Sequence, residues 1–362
     1  MGTELSPALA ALGFGADLAA HLAALGRTDV MVGRIVRYDR ICALAATDAG
    51  EIVVDVPGRL RRRRDGNELP CVGDWVALTP LAGGNRALLA AILPRHSQLV
   101  RHVAGTENTS QVLAANIDTL FLVSGLDRDF NVRRIERYLT LAWQSGAQPV
   151  VVLNKADTCS DLDFVLKETE LVASGAPVHA VSAVTELGID VLRSYLGPGR
   201  TGALVGSSGV GKSTLLNALL GEQRMLTGAV RPADQRGRHV TSHRELVVLP
   251  SNAGCLIDTP GLRELQLWGD QGGLLRAFAD VVAFAARCRF QDCSHDVEPD
   301  CAVRGAVESG ELAGDRFESY RALQEEMGSL KARTREHAAR REGRKGAAAA
   351  RAQDRQINRR RT

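Results

Sequence analysis

Several features are missing from this 362-residue chain. No apolar run approaches the roughly 18 residues needed to span a membrane. The N-terminus, MGTELSPALAALGFG, carries no basic stretch ahead of its apolar residues, so it does not read as a secretory leader. Seven cysteines form an odd set: Cys42, Cys71, Cys159 and Cys255 are scattered, and three are bunched between Cys288 and Cys301. Such a set excludes a disulfide framework and fits a reducing compartment with one metal site. Internal repeats are also lacking. The expectation is a soluble cytoplasmic protein with no membrane partner, in a monomeric state.

Charge is present in an uneven distribution. A formal net charge of +3 conceals a tail, residues 331–362, with 12 Lys and Arg against Glu336, Glu342 and Asp354. The remaining 330 residues hold 33 basic and 39 acidic groups, a balance of −6. A second run, RLRRRR, places Arg59, Arg61, Arg62, Arg63 and Arg64 together. Arginine runs on a mildly acidic body point toward a polyanion, because the planar guanidinium matches phosphate oxygens.

Along the chain, residues 3–26 are Ala/Leu-rich with helical spacing. From Val30 to Val100 the texture changes to short β-type runs: MVGRIVRY, ICALAA, EIVVDV, DWVALTP and ALLAAILP. Gly, Asp and Pro punctuate them as in a small barrel, with an oligonucleotide-binding (OB) fold the best fit and an SH3-like barrel the alternative. The arginine run falls in one of its connections. Beyond Ile117, apolar strands alternate with helical stretches near Val132–Ser145, Leu162–Ser174, Gly188–Leu196 and Ser213–Leu220, the pattern of a mostly parallel sheet. Residues 268–330 read as helical. The tail has almost no apolar stripe.

The strongest motif is Gly206-Ser207-Ser208-Gly209-Val210-Gly211-Lys212-Ser213-Thr214, a full G-x-x-x-x-G-K-[ST] loop between a strand and a helix. Its backbone N–H groups and the helix dipole suit phosphates. Lys212 would reach the β- and γ-phosphates, and Ser213 would hold Mg²⁺. Asn154-Lys155-Ala156-Asp157 follows the strand PVVVLN. An Asp157 carboxylate can accept from both N1–H and the 2-amino group of guanine, neither of which adenine offers. Ser182 and Ala183, after the next strand, would present N–H groups to guanine O6. Asp258-Thr259-Pro260-Gly261 has the form D-x-x-G, with Asp258 reaching Mg²⁺ through water and Gly261 contacting the γ-phosphate. Together, each at the carboxyl end of a strand, these elements read as a GTP site.

Their order is permuted: N-K-x-D and Ser-Ala precede the phosphate loop, and D-x-x-G follows it. Position 262 is Leu, where many GTPases carry a water-orienting Gln, so intrinsic turnover is expected to be low. Upstream, the polar segment Arg236–His243 is placed as a switch, in which Thr241 would ligate Mg²⁺ and His239 would position water. Cys288-x4-Cys293-x-His295-x5-Cys301 supplies three thiolates and one imidazole within 14 residues, a donor set for one structural zinc ion.

With these motifs in hand, the chain from about Val30 to about Arg321 resembles the ribosome small subunit-dependent GTPase family (RsgA/YjeQ). The resemblance rests on the order NKAD–SA–GSSGVGKST–GRHVTSH–DTPG, the following GLRELQLW and the cysteine–histidine spacing. It implies GTP hydrolysis late in maturation of the small ribosomal subunit, stimulated by that subunit, with contacts to its rRNA. GTP or GDP, Mg²⁺ and Zn²⁺ are the implied ligands, and His239 falls at the family's proposed catalytic histidine. One departure lies in the switch, where the family's run of three threonines is replaced by Val240, Thr241 and Ser242. The expected layout is a helical extension over 1–28, an OB barrel over 29–98, a permuted GTPase domain over 99–267, a zinc-binding helical domain over 268–330 and the basic tail over 331–362. Two other readings stay open: a nucleotide-gated RNA-binding protein whose hydrolysis is incidental, and a P-loop ATPase or small-molecule kinase.

Overall fold

The computed structural model describes residues 6–39, 43–58, 60, 69–102, 110–127, 130–221, 244–258, 267, 271–330 and 332. The N-terminal extension is two short helices, α1 (Pro7–Ala11) and α2 (Ala16–Ala24). Pro7 fits the first turn of α1, where no N–H is needed. Leu9, Leu12 and Phe14 are buried, with the Phe14 ring packed at a tilt against Trp75 of the following barrel, centroids 5.1 Å apart.

That barrel comprises β1 (Met31–Tyr38), β2 (Ala43–Thr47), β3 (Gly50–Asp55), β4 (Trp75–Pro80) and β5 (Arg86–Ile92). Each of the five β-type runs in the sequence forms one of these strands. The strands pair in the order β1-β2-β3-β5-β4, and β4 closes back on β1 from Met31↔Leu78 to Arg34↔Trp75. Only β3 and β5 run parallel. This closed five-stranded order with one parallel pair is the OB arrangement, which decides between the two barrel alternatives. Ile35, Val54, Val76, Leu78 and Leu89 fill its interior.

A ribbon of β6 (Gln98–His102) and β7 (Ser110–Ala115) follows, which the sequence pattern did not reveal. The next six strands are β8 (Thr119–Gly125), β9 (Gln148–Asn154), β10 (Val178–Ala180), β11 (Thr201–Val205), β12 (Arg244–Val248) and β13 (Cys255–Asp258). They lie in the order β10-β9-β8-β11-β13-β12, all parallel except β12. The central strand β11 has strands earlier in the chain on one side and later strands on the other. A permuted chain threaded through a doubly wound sheet produces this order.

Alternation along β8 and β9 builds two layers. Leu120, Leu122, Val151 and Leu153 face a core shared with Ile135 and Leu139 of α3 (Val132–Ser145). Phe121, Val123, Val150 and Val152 face Leu215, Leu216 and Leu219 of α6 (Lys212–Leu220). Between them in sequence come α4 (Leu162–Val172) and α5 (Ile189–Arg193). Asn131 caps α3 and Asp161 caps α4, each accepting an N–H three residues on. The barrel joins this sheet edge to edge, since Arg37↔Glu245 and Tyr38↔Arg244 pair β1 with β12.

The C-terminal region is helical: α7 (Gly272–Ala277), α8 (Ala279–Ala285), α9 (Ala302–Ser309) and α10 over 314–330. It docks on α3 through charge. Arg316, only 3% exposed, donates to Glu136 Oε1 at 2.8 Å and to both oxygens of Asp280 at 2.9 and 3.0 Å. Its guanidinium also lies 4.1 Å from the ring centroid of Phe278. Arg137 grips Glu326 with two bonds of 2.6 and 2.8 Å. Glu136 is fully buried, so Arg316→Ala strands its carboxylate with Arg133 as the remaining cation. The substitution should cost about 3 kcal/mol, read as a lower urea midpoint at unchanged slope. A midpoint equal to that of the unaltered protein contradicts this packing.

Candidate functional site

The phosphate loop turns between β11 and α6. Its glycines are demanded by close approach as well as by backbone shape. A Cβ on Gly206 would lie 2.2 Å from the Val123 carbonyl, and one on Gly211 would lie 2.3 Å from Asn154 Nδ2. Gly211 also has φ +93°, the left-handed region, where it starts α6. Lys212 folds back over the loop, donating to the Gly206 carbonyl at 2.7 Å and to the Ser207 carbonyl. Val210 is buried, whereas Ser208, Gly209 and Ser213 are exposed and Ser207 and Thr214 half-buried. The loop thus turns its polar side outward, at the start of a nine-residue helix.

Asn154 ends β9, at 2% exposure. Its Nδ2 donates to the Val210 carbonyl at 2.8 Å, and its Oδ1 accepts the Ala183 N–H at 3.1 Å. One carboxamide therefore bridges the phosphate loop and the Ser182–Ala183 turn. Lys155, at φ +67°, lays its stem beside the same loop, with Nζ donating to the Gly209 carbonyl at 2.7 Å and to Asp127. Ala156 and Asp157 form a 3-10 turn, anchored by Ala156 N–H to the Val181 carbonyl at 3.0 Å. Ala156 is buried and Asp157 exposed, leaving the Asp157 carboxylate on the open side of the turn. Ser182 is fully buried, and its hydroxyl accepts the Thr185 N–H at 3.2 Å.

Asp258 closes β13. Burial pushes its carboxyl up to about 6, against the pull of Lys212, with Glu245 adding to the rise. A divalent cation beside this carboxyl would favour its ionised form. The structure thus brings Asn154, Lys155, Asp157, Ser182, Ala183, Lys212, Ser213 and Asp258 to one edge of the sheet. Gly261, His239 and Thr241 lie outside the described residues, as do Arg59, Arg61, Arg62, Arg63, Arg64 and, apart from residue 332, the basic tail. Two participants escaped the sequence reading. Asp127 holds Lys155 and stands two residues beyond β8, a strand-end position that could have flagged it. Arg134 Nη1 donates to Ser207 Oγ at 2.7 Å, and no motif announces it.

The cysteine–histidine cluster sits between α8 and α9. The four ligand atoms of Cys288, Cys293, His295 and Cys301 lie within 4.8 Å of one another. Cys288 and Cys301 sulfurs are 3.9 Å apart, and His295 Nδ1 is 3.6 and 3.4 Å from them. A tetrahedral centre with metal–sulfur bonds of about 2.3 Å and a metal–nitrogen bond of about 2.0 Å needs separations of about 3.8 and 3.5 Å. The cluster therefore fits a four-coordinate metal with no ligand position left for substrate. Glu298 fastens the intervening loop, accepting the N–H and hydroxyl of Ser294 and the N–H groups of Asp296 and Val297. Those bonds, Ser294's first, hold its carboxyl down at about 2.

A phosphate loop, an N-K-x-D turn and a D-x-x-G aspartate on a sheet threaded in this order define a circularly permuted P-loop GTPase. The comparisons agree. The family described as RsgA GTPase matches residues 92–268. "Small ribosomal subunit biogenesis GTPase RsgA 2" of Lactiplantibacillus plantarum is 47% identical over 298 residues, 82% of this chain and 83% of its own. "Small ribosomal subunit biogenesis GTPase RsgA" of Opitutus terrae is 50% identical over 300 residues, 80% and 81% respectively. YjeQ from Thermotoga maritima superposes with a TM-score of 0.61 at 28% identity, covering 82% of this chain and 98% of that one. The fold is also that of YloQ, a circularly permuted GTPase, with a TM-score of 0.59 at 23% identity over 84% and 96%. This chain belongs to the RsgA GTPase family.

The cluster geometry carries a prediction. Cys293→Ser should release one bound metal per chain, measured by elemental analysis, and open residues 271–330 to protease while GDP still binds. Retention of the metal after loss of two of the four ligands would place the metal elsewhere.

Proposed function

We propose that this protein hydrolyses GTP to GDP and phosphate during late maturation of the small ribosomal subunit, binding the subunit and its rRNA and turning over faster in their presence. The observation that carries the reading is the carboxamide of Asn154, which joins a guanine-type turn to a phosphate loop in the permuted order of a family whose named relatives are small-subunit biogenesis GTPases. Among the described residues no helix is long and apolar enough to cross a membrane, in keeping with action on a cytoplasmic particle.

The motifs assign the roles, and the placement of Asn154, Lys155, Lys212 and Asp258 at one sheet edge supports them. Asp157 accepts from guanine N1–H and the 2-amino group, Lys155 flanks the base, and the Ser182–Ala183 turn meets O6. The N–H groups of Gly206–Thr214 cradle the phosphates, and Lys212 moves from the loop carbonyls onto the β- and γ-phosphates. Ser213, Thr241 and, through water, Asp258 hold Mg²⁺, which when bound neutralises charge on the phosphate oxygens. Gly261 contacts the γ-phosphate, and His239 orients water for in-line attack on the γ-phosphorus as the bond to the bridging oxygen breaks. Cys288, Cys293, His295 and Cys301 hold a structural Zn²⁺. Arg59, Arg61, Arg62, Arg63 and Arg64 and the basic tail of a monomer meet rRNA phosphates.

Turnover measured alone, with small subunits and with large subunits tests this reading. Small subunits alone should raise kcat by about tenfold or more. Equal rates in all three would leave a nucleotide-gated RNA-binding protein instead. Asp157→Asn presents donors to guanine donors and should weaken GTP binding by about 1–3 kcal/mol while improving relative affinity for xanthosine nucleotides. Unchanged GTP affinity in that variant refutes the assignment of Asp157.

A further inference from the structure

Ser207 is held from two sides by two cations. Lys212 donates to its main-chain carbonyl, and Arg134 donates to its hydroxyl at 2.7 Å. The two contacts do not have the same fate. Lys212 belongs on the β- and γ-phosphates when nucleotide is bound, and an ammonium engaged there is withdrawn from the loop carbonyls. Arg134 approaches from α3, outside the strand–loop–helix segment, and it holds the Ser207 side chain rather than a loop carbonyl. In the loaded site Arg134 is the cation left to fix the second residue of the loop.

The helix that carries Arg134 is firmly anchored. Asn131 caps it through the Arg134 N–H at 3.1 Å. Its next residues bind the C-terminal helices, with Arg133 on Asp315, Glu136 on Arg316 and Arg137 on Glu326. Ile135 and Leu139, both at most 1% exposed, bury its other face on the sheet. A guanidinium on such a helix sets the position of whatever it grips. The grip is on the residue that leads into Ser208 and Gly209, the exposed stretch of the phosphate loop. Donors fixed before the transition state forms lower the barrier more than they improve ground-state binding.

We propose that Arg134 is a positioning residue for GTP hydrolysis: through Ser207 Oγ it holds the phosphate loop in register with α3 once Lys212 has moved to the nucleotide. This inference rests on the GTPase reading above and adds to it a residue outside every nucleotide motif. It acts through Ser207 and does not itself touch the substrate.

The test is steady-state GTP hydrolysis by the full chain without subunits, using Arg134→Ala, Ser207→Ala, the double variant and Arg134→Lys, with GDP affinity measured alongside. Each alanine variant should lower kcat about tenfold with KM for GTP changed less than about twofold. The double variant should be no slower than the slower single, because both remove one contact. Arg134→Lys, whose ammonium still reaches the hydroxyl, should restore at least half of kcat. A kcat equal to that of the unaltered protein, additive losses in the double variant, or a change confined to KM would overturn the proposal. A loss of folded protein in Arg134→Ala is checked by its GDP affinity, and Ser207→Ala then carries the same test. An unaltered protein with no GTP turnover even when small subunits are added is a different result, and would refute the GTPase reading itself.

Discussion

The site depends on one buried carboxamide. Asn154 gives its N–H to the phosphate loop and takes an N–H from the Ser182–Ala183 turn, so it satisfies polar groups on two separate loops at once. Buried donors and acceptors of this kind are costly to leave unpaired, which makes the arrangement of the loops nearly all-or-none. In a permuted chain the constraint has added importance. The N-K-x-D turn and the phosphate loop are separated by about 50 residues in sequence, and the sheet order β9-β8-β11 returns them to the same edge of the sheet. Asn154 ties those strand-end loops to one another.

The parts around the pocket are coupled to it by backbone and by charge. β12 begins at Arg244, directly after the segment containing His239 and Thr241, and its first two residues pair with Arg37 and Tyr38 of the barrel. Barrel and sheet thereby share one run of hydrogen bonds, so a shift in β12 is a shift at the barrel edge. On the opposite layer α3 serves as the seat of the C-terminal helices, through Arg316 in its buried pocket and Arg137 on Glu326. The module that carries the Cys288–Cys301 cluster is thus bolted to the helix that also touches the phosphate loop.

Much of this was legible in the sequence, for reasons that can be named. The five β-type runs each became a barrel strand because alternation and Gly/Asp/Pro punctuation are local signals. The helix over Val132–Ser145 was visible from its periodicity and the strands around it from their unbroken apolar runs, as both-face burial requires. The phosphate loop, the N-K-x-D turn and the cysteine spacing are local too. What stayed hidden is tertiary. The β6–β7 ribbon is short and bends onto Val72 through a single bridge to Ala114, with no hairpin signature of its own. Pairing of β1 with β12 joins residues more than 200 positions apart. Arg134 and Asp127 read as ordinary charged residues until the fold sets them against Ser207 and Lys155. The choice between OB and SH3-like barrels also needed the parallel β3–β5 pair, a long-range contact that no single strand encodes.

On this reading a single carboxamide holds together the nucleotide site from loops the permutation has separated. Titration of Asn154→Ala with fluorescent GDP, with thermal unfolding recorded in parallel, tests it most directly. The variant should unfold as one cooperative unit yet bind GDP at least about a hundredfold more weakly, the effect of roughly 3 kcal/mol from two lost buried hydrogen bonds. GDP affinity within about threefold of the unaltered protein would contradict the account, because the loops would then be holding their arrangement without Asn154.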